Sequence, residues 1–179
     1  MKKIAFVLVA IIFYSCQNNK VKTNFILDDN IESKINSHLK KMTIADKVGQ
    51  TCQVTLGALM KTDSKNKLIW PHEIDPEKLS VAINDYKIGS ILNVSNHTFD
   101  LERWHEIIKT VQTKAMSSEL GIPIIYGIDA IHGVTYTRNS TLFPQEIGLA
   151  ATWDLEHAKV MGEVTAYETR ASGIPWNFS

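Results

Sequence analysis

An α/β fold with parallel strands is the class the sequence predicts, and three observations carry it. Helical stripes of apolar residues alternate with short β-branched runs at residues 88–94 and 122–128, the order that builds successive βα units. The second run is apolar at consecutive rather than alternate positions, as expected of a strand covered on both faces. Gly-Ile-Pro occurs twice, at Gly121 and Gly173, each time between a helical stripe and an apolar run. Glycine suits the left-handed position past a helix end, while proline stops the helix and leaves the following residues extended.

Taken in order, Lys2 and Lys3 precede an apolar stretch, residues 4–14, long enough for a secretion signal and too short to span a bilayer. Ser15-Cys16 resembles a bacterial lipoprotein processing box. That makes residues 1–15 a signal peptide and Cys16 the lipidated first residue of an exported periplasmic or outer-membrane lipoprotein. Phe13 and Tyr14 stand where smaller or aliphatic residues are usual, so ordinary signal-peptidase cleavage is the competing reading. Residues 16–30 are polar and unpatterned, a tether between lipid and domain. Cys52 then has no partner for an intrachain disulfide and is expected as a core thiol.

Ile31, Ile35, Leu39 and Met42 recur at helical spacing and open the domain. Thr43 and Asp46 approximate a capping box that starts a second helix. Residues 56–70 lose the pattern and read as a surface loop. Asp75-Pro76 starts another helix with proline in its first turn, carrying Leu79, Ile83 and Tyr86 on one face and ending before the strand at 88–94. Leu101, Trp104, Ile107, Ile108, Val111 and Ala115 form the next stripe, which is expected to end at Gly121. Trp104 on that stripe reads as helix-to-sheet packing. A last helix runs from Asp154 to Gly173 and hands over to an extended segment, residues 174–178.

Asp129 is the candidate for chemistry. It ends the apolar run at 122–128 and is followed by His132 and Gly133. In β/α barrels the loops after the strands' C-terminal ends carry the ligand contacts; a turn-capping Asp is the structural alternative. His132 is read as orienting Asp129 or its loop. Tyr136 and Arg138 read as a solvated loop face, with bordering the site as the alternative, and Glu146 and Glu168 as structural acids. No metal pattern forms around Asp129 and His132, and no cofactor is implied. The 19 basic and 19 acidic residues leave no electrostatic footprint for nucleic acid. The chain shows no nucleophile elbow, phosphate loop or dinucleotide fingerprint, which argues against esterase, kinase and dehydrogenase chemistry.

Tyr126-Gly-Ile-Asp-Ala-Ile-His-Gly133, Thr141-Leu-Phe-Pro144 and Gly148-Leu-Ala-Ala-Thr152 resemble, in that order, the N-terminal half of glycoside hydrolase family 3, the β-glucosidase family. Met42 to Gln50, Lys87 to Asn93 and Glu163 to Ser179 extend the resemblance, which covers residues 31–179. It implies the first portion of a (β/α) TIM-type barrel, incomplete in this chain, since such a barrel takes about 250 residues. It also implies retaining hydrolysis of terminal non-reducing β-D-glucosyl residues from β-glucoside oligosaccharides or aryl glucosides. By the resemblance Asp129 binds the sugar at the cleaved bond, and the nucleophile and acid/base fall beyond Ser179, so no catalytic residue is assigned in this sequence. A β-xylosidase or N-acetylglucosaminidase within the family is the near alternative. A non-catalytic carbohydrate-binding lipoprotein is the alternative from another class.

Stable anchoring depends on attached acyl chains. Cys16→Ser is therefore expected to move the protein from the membrane to the soluble fraction of the producing cell. Equal membrane recovery of both forms, by immunoblot, would rule out the lipoprotein reading.

Overall fold

The structure, a computed structural model, describes residues 28–94 and 97–179. The expected signal peptide, Cys16 and most of the tether lie outside the described residues. The chain divides into two units, 1–40 and 41–179. Helix α1 (Asp29–Lys41), all but its last residue in the first unit, begins inside the segment expected as tether. The Asp28 side chain accepts from the Asn30 main chain at 2.9 Å, which satisfies one of the amides left open at a helix start.

The second unit opens with α2 (Ile44–Gln50), whose capping box is the one expected. Thr43 Oγ1 accepts from Asp46 N at 3.1 Å, and the Asp46 carboxylate accepts from Thr43 N at 2.8 Å. The bond from Thr43 N, with a second that Thr43 Oγ1 donates to the same carboxylate at 2.8 Å, holds the Asp46 carboxyl below the usual carboxylate range. Four strands follow: β1 (Gln53–Thr55), β2 (Ser90–Leu92), β3 (Ile125–Ile128) and β4 (Trp176–Asn177). They form one sheet in the order β1-β2-β3-β4, and every neighbouring pair is parallel. Between them lie α3 (Pro76–Ser80), α4 (Leu101–Met116), α5 (Glu146–Ala150) and α6 (Leu155–Ala171). Strands in chain order, all parallel and joined through helices, are the βα progression the sequence predicts.

The core lies on one face of this sheet. Val54, Ile91 and Tyr126 share a row. Against that face α4 buries Trp104, Ile107, Val111 and Ala115, spaced so that all four project from one side of the helix. Trp104 is fully buried as expected; its indole meets the Tyr126 ring edge-on at 5.8 Å between centroids and donates to the Tyr136 carbonyl at 3.2 Å. The opposite face differs from the expectation of a strand covered on both sides. Ile125 is 53% and Trp176 44% exposed, and they stand on the face away from α4.

Other boundaries depart from the sequence reading for local reasons. The strand expected over 88–94 is confined to Ser90–Leu92, because Ile88 N bonds back to Ala82 O at 3.1 Å and Asn93 turns left-handed, with φ +49°. The run expected from 122 pairs only from Ile125, because the Gln112 side chain takes both main-chain groups of Ile124, at 2.7 and 3.1 Å. The segment read as surface loop begins with a tight turn, Leu56–Leu59, and Leu56, Leu59 and Met60 are buried. Cys52 is exposed rather than a core thiol. It stands where α2 hands over to β1, and its Sγ reaches the Val48 carbonyl at 3.4 Å.

The two Gly-Ile-Pro junctions also differ. Gly173 occupies the left-handed position past α6, with φ +79°; its amide bonds to Arg170 O at 2.9 Å and that of Ile174 to Thr169 O at 3.2 Å, the paired closure of a Schellman cap. Gly121 has φ +59° but lies in a separate turn, since α4 already ends at Met116. The nearest atoms to a side chain added at Gly173 lie at ordinary contact distance, so the cost of Gly173→Ala is one of backbone. It is expected to lower stability by about 1–2 kcal/mol. Gly162→Ala, in the interior of α6 with open space around it, is expected to raise it by about 0.5–1 kcal/mol. Urea unfolding of the two variants should therefore shift in opposite directions; shifts of the same sign would contradict the assigned conformations.

Candidate active site

Where a parallel ladder stops, the strands diverge and their next peptide groups lose their partners. At the C-terminal ends of β2, β3 and β4 this chain replaces those partners with asparagine side chains. Asn93, directly after β2, donates from Nδ2 to Asp129 Oδ2 at 2.6 Å, and its Oδ1 accepts from Asp129 N at 2.9 Å. Asn177, in β4, treats the next residue alike: its Oδ1 accepts from Ala130 N at 3.0 Å and its Nδ2 donates to Ala130 O at 3.3 Å. Phe178 N reaches Ile128 O at 3.0 Å. Asp129 is thus held between two neighbouring strands, with its carboxylate half-buried at the sheet's C-terminal edge.

Asn93 is itself fixed from below. Its amide donates to Gly127 O at 2.9 Å, and its carbonyl accepts from the Tyr126 hydroxyl at 2.6 Å. Burial pushes the Tyr126 phenol far above its ordinary range, so it acts as a neutral donor.

The loop after Asp129 is pinned to its surroundings. His132 is half-buried, and its carbonyl accepts from Phe143 N at 2.9 Å. The hydrogen bonds to the Asp129 carboxylate and amide come from Asn93; the His132 contact secures the loop. The Tyr136 phenol is raised by burial and by the Asp129 charge beside it. Tyr136 O accepts from Phe99 N at 3.0 Å and Arg138 N donates to Phe99 O at 2.7 Å, joining the loops that follow β2 and β3. Glu168 is structural, since its carboxylate accepts from Thr141 N at 2.9 Å and Thr141 Oγ1 at 2.8 Å and so ties the loop to α6. Glu146 is exposed in the first turn of α5.

At the rim, Trp70, His72 and His97 meet edge-on with centroids 4.8 to 5.3 Å apart. With Arg138 they line a cavity of about 460 Å³. Burial first, and then the proximity of His72 and Arg138, lowers the His97 pKa, which favours the neutral ring.

Chemically, the strand ends present one oriented carboxylate. An ionised carboxylate offers about four acceptor sites, of which Asn93 takes one. The rest can accept hydroxyl hydrogen bonds, which are stronger to a charged acceptor than to a neutral one. Sequence reasoning singled out Asp129 as the candidate and did not single out either asparagine. Their position immediately after an apolar run, or within one, was the available signal, but which strand end each would face depends on sheet register.

The sequence model of the Glycosyl hydrolase family 3 N terminal domain matches residues 43–179. The chain is 36% identical over 154 residues to the lysosomal beta glucosidase of Dictyostelium discoideum, covering 81% of this chain and 18% of that protein. It is 28% identical over 137 residues to the periplasmic beta-glucosidase of Salmonella typhimurium, covering 76% of this chain and 14% of that protein. Among solved structures, the exo-1,3/1,4-beta-glucanase of a Pseudoalteromonas species superposes with a TM-score of 0.67 at 33% identity, over 85% of this chain and 18% of that one. The chain therefore spans less than a fifth of the length of these relatives. Its parallel strands in chain order are the opening units of a TIM-type barrel, and the chain belongs to glycosyl hydrolase family 3.

Proposed function

We propose that the complete protein is a retaining β-glucosidase that releases terminal non-reducing β-D-glucosyl residues from oligosaccharides or aryl glucosides. In this reading Asp129 accepts hydrogen bonds from hydroxyls of the sugar whose bond is cut. The observation that carries it is the placement of a single half-buried carboxylate at the C-terminal end of β3, clamped on one side and with acceptor sites left over. That edge of a barrel is where substrate binds. Two relatives, named as beta-glucosidases, support the substrate class.

A site built to hold hydroxyls discriminates strongly against a sugar lacking one, because its own polar group is left unpaired. Retaining hydrolysis also needs a nucleophile and an acid/base about 5 to 5.5 Å apart. Neither role is assigned to a residue of this chain, and Asp129 acts by binding and orienting the ring between them. Export with a lipid anchor at Cys16 is part of the same proposal. The apolar stretch after Lys2 and Lys3 supports it, as does a relative named as periplasmic.

In the complete enzyme, Asp129→Ala is expected to lower kcat/KM for an aryl β-glucoside by roughly 10² or more, since a charged hydrogen bond and correct positioning are lost together. Asp129→Asn should fall between that variant and the wild type. Near-normal kcat/KM in Asp129→Ala, with loss of activity in a folded His132→Ala variant, would transfer the role to the histidine.

A further inference from the structure

We infer that Asn93 is a positioning residue for sugar recognition, holding the Asp129 carboxylate in one orientation and so deciding which of its acceptor sites face the hydroxyls of the bound ring. The inference rests on the role proposed above for Asp129.

The two contacts between these residues allow only one arrangement. The carboxylate can only accept and the Asp129 main-chain N–H can only donate. The Asn93 amide must therefore turn Nδ2 toward Oδ2 and Oδ1 toward the main chain, as it does at 2.6 and 2.9 Å. A carboxylate on a short side chain would otherwise rotate; one neighbour bonded to both its side chain and its main chain removes that freedom.

The clamp is anchored. All four polar groups of Asn93 are engaged: its amide with Gly127, its carbonyl with the Tyr126 hydroxyl, and both side-chain atoms with Asp129. Its left-handed backbone, φ +49°, is one that asparagine tolerates better than most residues and that aims the side chain across to β3. Tyr126 in turn is fully buried against Trp104. The orientation of Asp129 is thereby inherited from the core.

The residue type matters as well. A neutral amide donor orients the carboxylate without neutralising it, so the charge remains available to sugar hydroxyls. Aspartate at this position would share the shape and the backbone preference but set one carboxylate against another, a pair that favours holding a proton.

Two variants of the complete enzyme test this with an aryl β-glucoside as probe. Asn93→Gly accepts the left-handed backbone without strain and removes only the clamp. It is expected to lower kcat/KM about 10- to 100-fold, the scale of a misplaced binding group. In an Asp129→Ala background the same change should cost less than twofold, whereas a general loss of structure would cost the same factor in both backgrounds. Asn93→Asp should be impaired increasingly as pH rises, because the shared proton that lets one carboxyl donate to the other is lost. Tyr126 and Tyr136 beside the pair have raised pKa values and stay neutral over that range, and His132 in the same loop is common to variant and wild type, so the comparison of the two profiles removes its contribution. Three results would overturn the inference: kcat/KM within twofold of wild type in Asn93→Gly, an equal loss in both backgrounds, or a pH profile of Asn93→Asp parallel to wild type. If Asp129→Ala is itself near wild type, the reading of Asp129 falls and the inference with it. If Asp129→Ala is impaired and Asn93→Gly is not, only the assignment of Asn93 falls.

Discussion

The hydrogen-bonded pair formed by Asn93 and Asp129 is the interaction on which the candidate site depends, and it answers a problem set by the sheet. A parallel ladder pairs its peptide groups only while the strands run together. Past Leu92 and Ile128 they separate, just where a barrel enzyme needs its binding groups. An amide side chain presents a donor and an acceptor much as a peptide does, so Asn93 extends the pairing by one residue and directs its donor to a carboxylate. Asn177 does the same for Ala130 from the other neighbour, and Gln112 closes β3 at its entrance, at Ile124. The short strand β3 is thus bounded at both ends by amide side chains, and the candidate binding acid Asp129 follows directly on that held segment.

The same rigidity reaches outward through aromatic packing. From Tyr126 the edge-on contacts pass to Trp104, then Phe99, then His97, and from there to Trp70 and His72 at the rim. Such pairs are worth about 0.5–1.5 kcal/mol each beyond the area they bury, enough to give the rim loops a preferred arrangement. Phe99 has a second role, since its main chain pairs with Tyr136 and Arg138. The loops after β2 and β3 are therefore joined to each other as well as to the core.

Much of this was legible in the sequence, and the residues that were not share a cause. Helix α4 announces itself through its apolar stripe, and Thr43, Asp75 and Gly173 mark caps that the structure contains. Asp129 stood out because an acid directly after an apolar run is unusual. Strand ends were less legible, because Ile88, Ile124 and Asn93 leave the ladder through hydrogen bonds to Ala82, Gln112 and Asp129. Ala82 and Gln112 lie within a short stretch of their partners, but no periodic pattern marks such a bond in the sequence. The buried turn at Leu56–Leu59 is too short to show a period. Cys52 was judged by residue type, whereas its exposure follows from its place between α2 and β1. The clamp on Asp129 was hidden most completely, since it joins residues 36 positions apart and exists only once β2 and β3 are in register.

The most direct measurement is a crystal structure of the complete protein with glucose, or a glucose mimic that is not hydrolysed, bound at the end of β3. The account predicts that Asp129 accepts from sugar hydroxyls at about 2.7 Å while Asn93 Nδ2 remains on Oδ2. A sugar seated in the barrel without touching Asp129, or an Asp129 that leaves Asn93 to reach it, would contradict the account.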